Sequence, residues 1–187
     1  MILGKRLLVP TPKEWYNQHA TEYDASYEAS QFFQIYARTT WEKTIKPYLP
    51  QSKEARILDA GGGTGMWTVP IVELGYLVTL TDISEGMLEV ARQKLAKKNL
   101  LSRVRIVVAD LVNMNMFEDA CFDFVLCEGD PLSYCNDPLK GIRELVRVAR
   151  EGGIIVASVD NLYWTIRSRI RDGQLAGLNT LLESGWD

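Results

Sequence analysis

Three glycines at alternate positions, Gly61, Gly63 and Gly65, follow the apolar pair Ile57-Leu58 and the acid Asp59. Glycine lets a backbone turn tightly and approach a ligand that side chains would hold off. An apolar run entering such a turn, with a further periodic segment from about Met66 to Leu74, reads as strand, turn and helix, and the first N–H groups of that helix face the turn. The chemistry this arrangement supports is the holding of a nucleotide-type cofactor with a polar or anionic end. A dinucleotide fingerprint, Gly-x-Gly-x-x-Gly/Ala, asks for a small third residue at position 66, where this chain has Met66. The pattern present is instead Asp59-x-Gly61-x-Gly63-x-Gly65.

Acids recur where later apolar runs end. Asp82 closes Val78-Thr79-Leu80-Thr81-Asp82, Asp110 follows Val107-Val108-Ala109, and Glu128, with Asp130 shortly after it, closes Val125-Leu126-Cys127. Ligands of an open parallel sheet lie at the carboxyl ends of its strands, so these are candidate site residues. Asp82 does not separate cofactor classes, because nicotinamide-binding domains also place an acid about 20 residues after their glycine turn. His19 is the only histidine, so any triad must pass through it, and metal sites built on two histidines are excluded. Cys121, Cys127 and Cys135 fit neither a disulfide framework nor a Cys-x-x-Cys knuckle and read as reduced thiols, with Cys135 beside the candidate site. No metal site is expected.

The elements that must position these residues follow from the alternation of short apolar runs with amphipathic ones. Strands are expected at 56–59, 77–82, 104–110, 122–128 and 153–159, and helices at 66–74, 84–98 and 138–149. Ser84 caps its helix, with Met87, Leu88, Ala91 and Leu95 along one stripe. Strands interleaved with helices imply right-handed crossovers and a parallel sheet covered on both faces. Before this core, residues 1–50 form an aromatic-rich helical lid carrying Trp15, Tyr16, Tyr23, Tyr27, Phe32, Phe33, Tyr36 and Trp41. Residues 51–160 form the cofactor-binding core, and 161–187 a basic helical segment with Arg167, Arg169 and Arg171 that stops at Trp186-Asp187.

The chain has 187 residues, 47% hydrophobic and 24% charged, enough for one domain with a real core. Its 21 Lys and Arg against 24 Asp and Glu give a formal charge of -3, which argues against a duplex nucleic-acid partner. The longest apolar runs fall far short of the ~20 residues of a membrane helix, and Met1–Arg6 opens no extended apolar leader. A cytoplasmic protein without a membrane partner is the expectation.

The Asp59-x-Gly61-x-Gly63-x-Gly65 turn, with Asp82 and Asp110 at the next two strand ends, resembles the first motifs of the class I S-adenosylmethionine-dependent methyltransferases. The resemblance runs from about Tyr16 to Val159. It implies a doubly wound, mostly parallel Rossmann-like α/β sheet with helices on both faces, and S-adenosyl-L-methionine as cofactor. That family normally adds a reversed final pair of strands, for which this chain has no remaining sequence, so the expected sheet lacks it and the chain is either truncated or a shorter member.

The resemblance assigns Asp59, Ala60, Gly61, Gly63 and Gly65 to the cofactor turn, with Asp59 orienting the turn or reaching the cofactor's ammonium through water, Asp82 to the ribose diol, and Ile83 and Met87 to the adenine face. Asp110 would accept from the adenine amino group between Ala109 and Leu111. The stretch Val125–Tyr134 resembles the family's fourth-strand motif, which puts Glu128 and Gly129 along the methionine moiety and Asp130 and Tyr134 at the substrate entrance. Asp130 is the candidate general base, while Asp130-Pro131 also suits the start of a turn. Tyr16, Tyr23-Asp24 and Tyr27 resemble the Tyr-Asp pairing of the family's lid, with a tyrosine hydroxyl (Tyr16 or Tyr23) or Arg38 near the cofactor's carboxylate. The implied reaction is methyl transfer to the O, N or C of a small-molecule acceptor. The competing readings are a nicotinamide-dependent oxidoreductase, disfavoured by Met66 and by the lack of an evident hydride-transfer pair, and a non-catalytic cofactor-binding domain that uses residues 164–171.

Overall fold

The computed structural model describes residues 10–171, 173, 175 and 178–184; the expectations made for Met1–Arg6 and Trp186-Asp187 lie outside them. The first helix, α1 (Pro12–Glu28), starts at a capping box, because Glu14 Oε2 accepts from the Thr11 backbone N–H at 2.8 Å while the Glu14 N–H returns to Thr11 Oγ1 at 3.3 Å. Ser30 caps α2 (Gln31–Thr40), which runs on through a π turn over Trp41–Ile45 and a 3-10 turn over Lys46–Tyr48.

Five strands follow: β1 (Arg56–Ala60), β2 (Leu77–Asp82), β3 (Val104–Val108), β4 (Phe122–Cys127) and β5 (Ala149–Ala157). They pair in the order β3-β2-β1-β4-β5, all parallel. Each crossover is helical or looped: α3 (Thr68–Glu73) after β1, α4 (Glu85–Lys97) after β2, and α5 (Pro131–Tyr134) with α6 (Pro138–Val148) after β4. Beyond β5 come α7 (Leu162–Arg171) and α8 (Leu178–Ser184).

The pleat sorts the core onto two faces. Ile57, Val78, Phe124 and Leu126 point to one side and pack with Ile71 and Val72 of α3, with Trp67, Tyr76 and Ile45 completing that cluster; Leu80 joins Leu88 and Ala91 of α4 on the same side. Leu58, Ala60, Val125 and Cys127 point the other way onto Leu145 and Val148 of α6 and the loop residues Met114 and Phe117. Helices therefore cover both faces, as a doubly wound sheet requires, and the described sheet consists of these five parallel strands.

Several boundaries differ from the sequence expectation. The helix after the glycines begins at Thr68 and is six residues long, because residues 61–67 are spent on successive turns. β3 stops at Val108, since Ala109 gives its N–H to Asp82 O and Asp110 turns the chain, its Oδ1 accepting from Val112 N at 3.1 Å. β4 ends one residue before Glu128. β5 begins at Ala149, directly behind α6, and absorbs Gly152, at φ 72, as an irregularity in its register with β4.

Candidate functional site

The strand order reverses between β1 and β4, and there, beyond the carboxyl ends of the strands, lies a cavity of about 960 Å³. Its floor is the glycine turn. Gly61 at φ 71 and Gly63 at φ 53 use the left-handed region, and a Cβ on Gly61 would come within 2.6 Å of Pro131 Cγ. A Cβ on Gly63 would point into the cavity, 3.2 Å from Met87 Cε and 3.9 Å from Asp82 Oδ2. The turn is therefore a backbone cradle that side chains would fill.

Asp82 locks that cradle to β2. Its Oδ2 accepts from Gly63 N at 2.9 Å and its Oδ1 from Ser84 N at 2.8 Å, leaving a further lone pair on each oxygen for a ligand hydroxyl. Burial raises its pKa, against the lowering effect of those N–H bonds. Ile83, Met87, Ala109, Asp110 and Leu111 line the wall beside it.

Asp59, Ala60 and Gly65, named with the cofactor turn, are not among the residues that line the cavity. Asp59 is one residue short of the end of β1, so the pleat turns its side chain under the glycine turn, fully buried, where Thr68 Oγ1 donates to Oδ2 at 2.6 Å. Ala60 points the opposite way into the α6 core, and Gly65 packs against Ala91 of α4. Asp59 thus supports the cradle from behind; burial first, and then the charges of Asp82 and Glu128, push its pKa up to about 7, against the hydrogen bonds from Thr68.

Opposite the cradle, Glu128, Gly129, Asp130 and Tyr134 line the cavity. Asp130 adopts a left-handed conformation, φ 65, at the start of α5, so Asp130-Pro131 starts a turn, and Asp130 also lines the cavity. Glu128 Oε1 accepts from Tyr36 Oη at 2.5 Å. Burial raises the pKa of Glu128 and of Asp130, and for Asp130 the Asp160 carboxyl adds to it. Sequence reasoning gave Tyr36 no role and passed over Ser158 and Asp160. The rule that found the other acids, inspection of strand ends, would have reached both had it been carried to the fifth strand.

The helices α1 and α2 close the cavity with rings. Tyr16 meets Tyr134 edge to face at 6.5 Å and Tyr23 at 6.0 Å, Tyr23 lies 4.9 Å from Tyr27, and Tyr27 4.3 Å from Phe33. The Tyr23 and Tyr27 hydroxyls share a hydrogen bond at 3.0 Å. Burial, then Tyr27 and the nearby acids, hold Tyr16 protonated, with a pKa of about 12. Both Tyr16 and Tyr23 line the cavity, whereas Arg38 and His19 do not; His19 is stacked on Trp15 at 4.4 Å.

The helix α1 is latched to the core by its polar residues. Asp24 accepts from Thr64 Oγ1 of the glycine turn at 2.6 Å and pairs with Lys94 of α4 at 2.8 Å, and Asn17 Oδ1 accepts from Ser84 Oγ at 2.7 Å and Gly86 N at 2.9 Å. Cys135 sits at the cavity edge with its thiol directed to Leu132 O, and burial raises its pKa, which removes it as a ready nucleophile. Among the described residues no helix is long and apolar enough to cross a membrane, and no group of acids, cysteines or histidine is placed to hold a metal.

A profile of the methyltransferase domain matches residues 57–153, more than half of the chain. Among curated proteins, demethylmenaquinone methyltransferase of Clavibacter sepedonicus is 42% identical over 113 residues, 60% of this chain and 44% of that protein. The chloroplastic 2-methyl-6-phytyl-1,4-hydroquinone methyltransferase 1 of Oryza sativa subsp. japonica is 37% identical over 116 residues, 60% of this chain and 33% of that protein. The chain therefore spans less than half the length of either relative. A solved structure of a protein from Pyrococcus horikoshii OT3 superposes with a TM-score of 0.65 at 25% identity, covering 86% of this chain and 71% of that one.

Proposed function

The chain belongs to the methyltransferase-domain family, with the Rossmann-like sheet of its class I members, and from that premise we propose that it binds S-adenosyl-L-methionine and transfers a methyl group to a small-molecule acceptor. The observation that carries the reading is the pairing of the glycine cradle with Asp82 at the point where the strand order reverses. The cavity fits the cofactor on its own terms: a backbone floor that a Cβ on Gly63 would intrude upon, a carboxylate with lone pairs free for a diol, and an apolar slot with a polar end.

In this reading Asp82 holds the ribose hydroxyls, Asp110 the adenine amino group between Ala109 and Leu111, and Ile83 and Met87 pack on the ring. Glu128, oriented by Tyr36, and Gly129 follow the methionine moiety, while Tyr16 and Tyr23 close the lid over it. When bound, S-adenosylmethionine supplies an electrophilic methyl group on a sulfonium. The protein's part is to hold the acceptor atom in line and exclude water, and methyl transfer needs little more than this proximity. Asp130 at the cavity wall serves as general base where the acceptor must lose a proton.

The names of both relatives, a demethylmenaquinone and a hydroquinone methyltransferase, support an acceptor with a ring, in keeping with the aromatic wall. The free thiols of Cys121, Cys127 and Cys135 support a reducing, cytoplasmic location. Isothermal titration with S-adenosylmethionine, S-adenosylhomocysteine and reduced nicotinamide dinucleotide, on this protein and on Asp82→Ala, tests the reading. The adenosyl ligands should bind at micromolar Kd, and the substitution should weaken them at least about tenfold, the equivalent of one lost charge-assisted hydrogen bond. Preference for the dinucleotide would overturn it.

A further inference from the structure

Tyr134 and Asp160 line the cavity, yet neither holds the cofactor in the reading above. Tyr134 Oη donates to Asp160 Oδ2 at 2.9 Å. A carboxylate only accepts, so the one proton of the Tyr134 hydroxyl is spent on Asp160, and what the oxygen offers a ligand is a lone pair. Burial, and then that bond, raises the pKa of Tyr134 and keeps it a neutral phenol.

The fold imposes this contact. Past its last residue β5 stays fastened to the segment after β4, because Ser158 N donates to Cys127 O at 3.0 Å while Ser158 Oγ accepts the N–H of Gly129 at 3.0 Å and of Asp130 at 3.1 Å. Ser133 Oγ of α5 accepts the Asp160 N–H at 2.8 Å, and Ser133 N in turn donates to Asp130 O at 2.9 Å. The Asp160 backbone is thereby tied to the helix that carries Tyr134, and the two side chains are held in reach of one another.

Other hydroxyl protons along the cavity are also committed within the protein. Thr64 gives its own to Asp24 and Tyr36 to Glu128, and the Tyr23 and Tyr27 hydroxyls bond to each other. Lys13, a cation on the lining, lies 3.6 Å from Glu85. A ligand beside Tyr134 therefore gains most by bringing a hydrogen to donate. Tyr16 stands edge to face with Tyr134, centroids 6.5 Å apart and planes at 84°, a corner that takes a flat ring against one face and one edge. At about 960 Å³ the cavity is near the top of the roughly 300–1,000 Å³ range of sites for one drug-sized ligand, which leaves room for an acceptor beside the cofactor.

We infer that Tyr134 recognises the acceptor by taking a hydrogen bond from a hydroxyl on its ring, and that Asp160 is a positioning residue which sets this preference by holding the Tyr134 proton, roles that rest on the methyl-transfer reading above. No bond is made or broken at Tyr134; it separates a ring bearing a hydroxyl from the same ring with that hydroxyl capped. Tyr134 is 46% exposed, so water can in part replace a missing ligand hydrogen, and the discrimination is about tenfold instead of the ~10,000-fold of a sealed site.

Isothermal titration of 2-naphthol and of 2-methoxynaphthalene into the protein saturated with S-adenosylhomocysteine tests this. The naphthol should bind about tenfold more tightly, although the ether is the more apolar of the two. In Tyr134→Phe the naphthol should weaken to the level of the ether, with the Kd of the ether kept within about twofold, whereas a merely structural role would weaken both alike. In Asp160→Ala the Tyr134 proton is released to the ligand, so the ether should tighten about threefold or more and the preference shrink. Equal binding of the two probes by the wild type, an equal loss of both in Tyr134→Phe, or an unchanged preference in Asp160→Ala overturns the inference. So does failure of both probes to bind protein that holds S-adenosylhomocysteine. A preference that Tyr134→Phe removes, in protein that binds no adenosyl ligand, refutes the methyl-transfer reading and leaves recognition by Tyr134 standing, so the two failures are told apart.

Discussion

Replacing Asp59 by Asn should change how stability depends on pH. Asp59 is fully buried; Oδ2 accepts from Thr68 Oγ1, and Oδ1 has no hydrogen-bond partner among the described residues. A carboxylate with one bare buried oxygen is costly, so the group keeps its proton, and its pKa rises from 3.8 to about 7. In the unfolded chain the carboxyl ionises near its ordinary value, while in the folded protein it stays neutral until about pH 7. Below about pH 4 it is neutral in both states and costs nothing; through the window from about 4 to 7 only the unfolded state gains by releasing the proton, so the folded state loses ground as pH rises. At about 1.4 kcal/mol for each of roughly three units, the loss sums to about 4 kcal/mol.

Asparagine keeps the acceptor for Thr68 and cannot ionise. Urea unfolding of both proteins at several pH values gives the test, because every other titrating group cancels in the difference. The stability of the wild type minus that of Asp59→Asn should fall by about 1.4 kcal/mol per pH unit across that window and flatten outside it. A difference that stays constant would mean that Asp59 is ionised in the native protein, and the account of it as a neutral support beneath the glycine turn would fail.

Gly62→Ala should cost about 2–3 kcal/mol in the same assay, because its Cβ would sit 2.5 Å from both Asp59 Cγ and Leu80 Cδ1 in a packed interior that cannot give way. Leu145→Ala, at 2% exposure between α6 and the sheet, should cost about 2–5 kcal/mol, and a loss below 1 kcal/mol would show that α6 is not packed as described. Asp24→Ala removes the link from α1 to both Thr64 and Lys94 and should cost only about 0.5–1 kcal/mol in global unfolding, since the pair is partly exposed. Amide hydrogen exchange in α1 should rise sharply in the same protein, and unchanged exchange would refute the latch.

The elements were legible because their periods are local. The stripe Met87-Leu88-Ala91-Leu95 behind Ser84 became α4 with Ser84 as its cap, and β2 runs over the residues whose apolar alternation ended at Asp82. The parallel sheet followed from the alternation of strand and helix, and inspection of strand ends pointed to Asp82, Asp110 and Glu128, which line one cavity. The sequence alone could not decide where each side chain points. Asp59 and Asp82 look alike as acids at strand ends and face the same side of the sheet, yet Asp59 stands level with Leu80, inside the core, while Asp82 lies two residues further along β2, at the cavity. Tyr36 and Glu128, 92 residues apart, are joined by a helix that folds back over the sheet, and no local pattern marks that meeting. Ser158 meets the N–H groups of Gly129 and Asp130 only because β4 and β5 are neighbours, which sets the segments that follow them side by side. Local propensity and periodicity are written in neighbouring residues, whereas a site is made by long-range register, and register exists only once the sheet has formed.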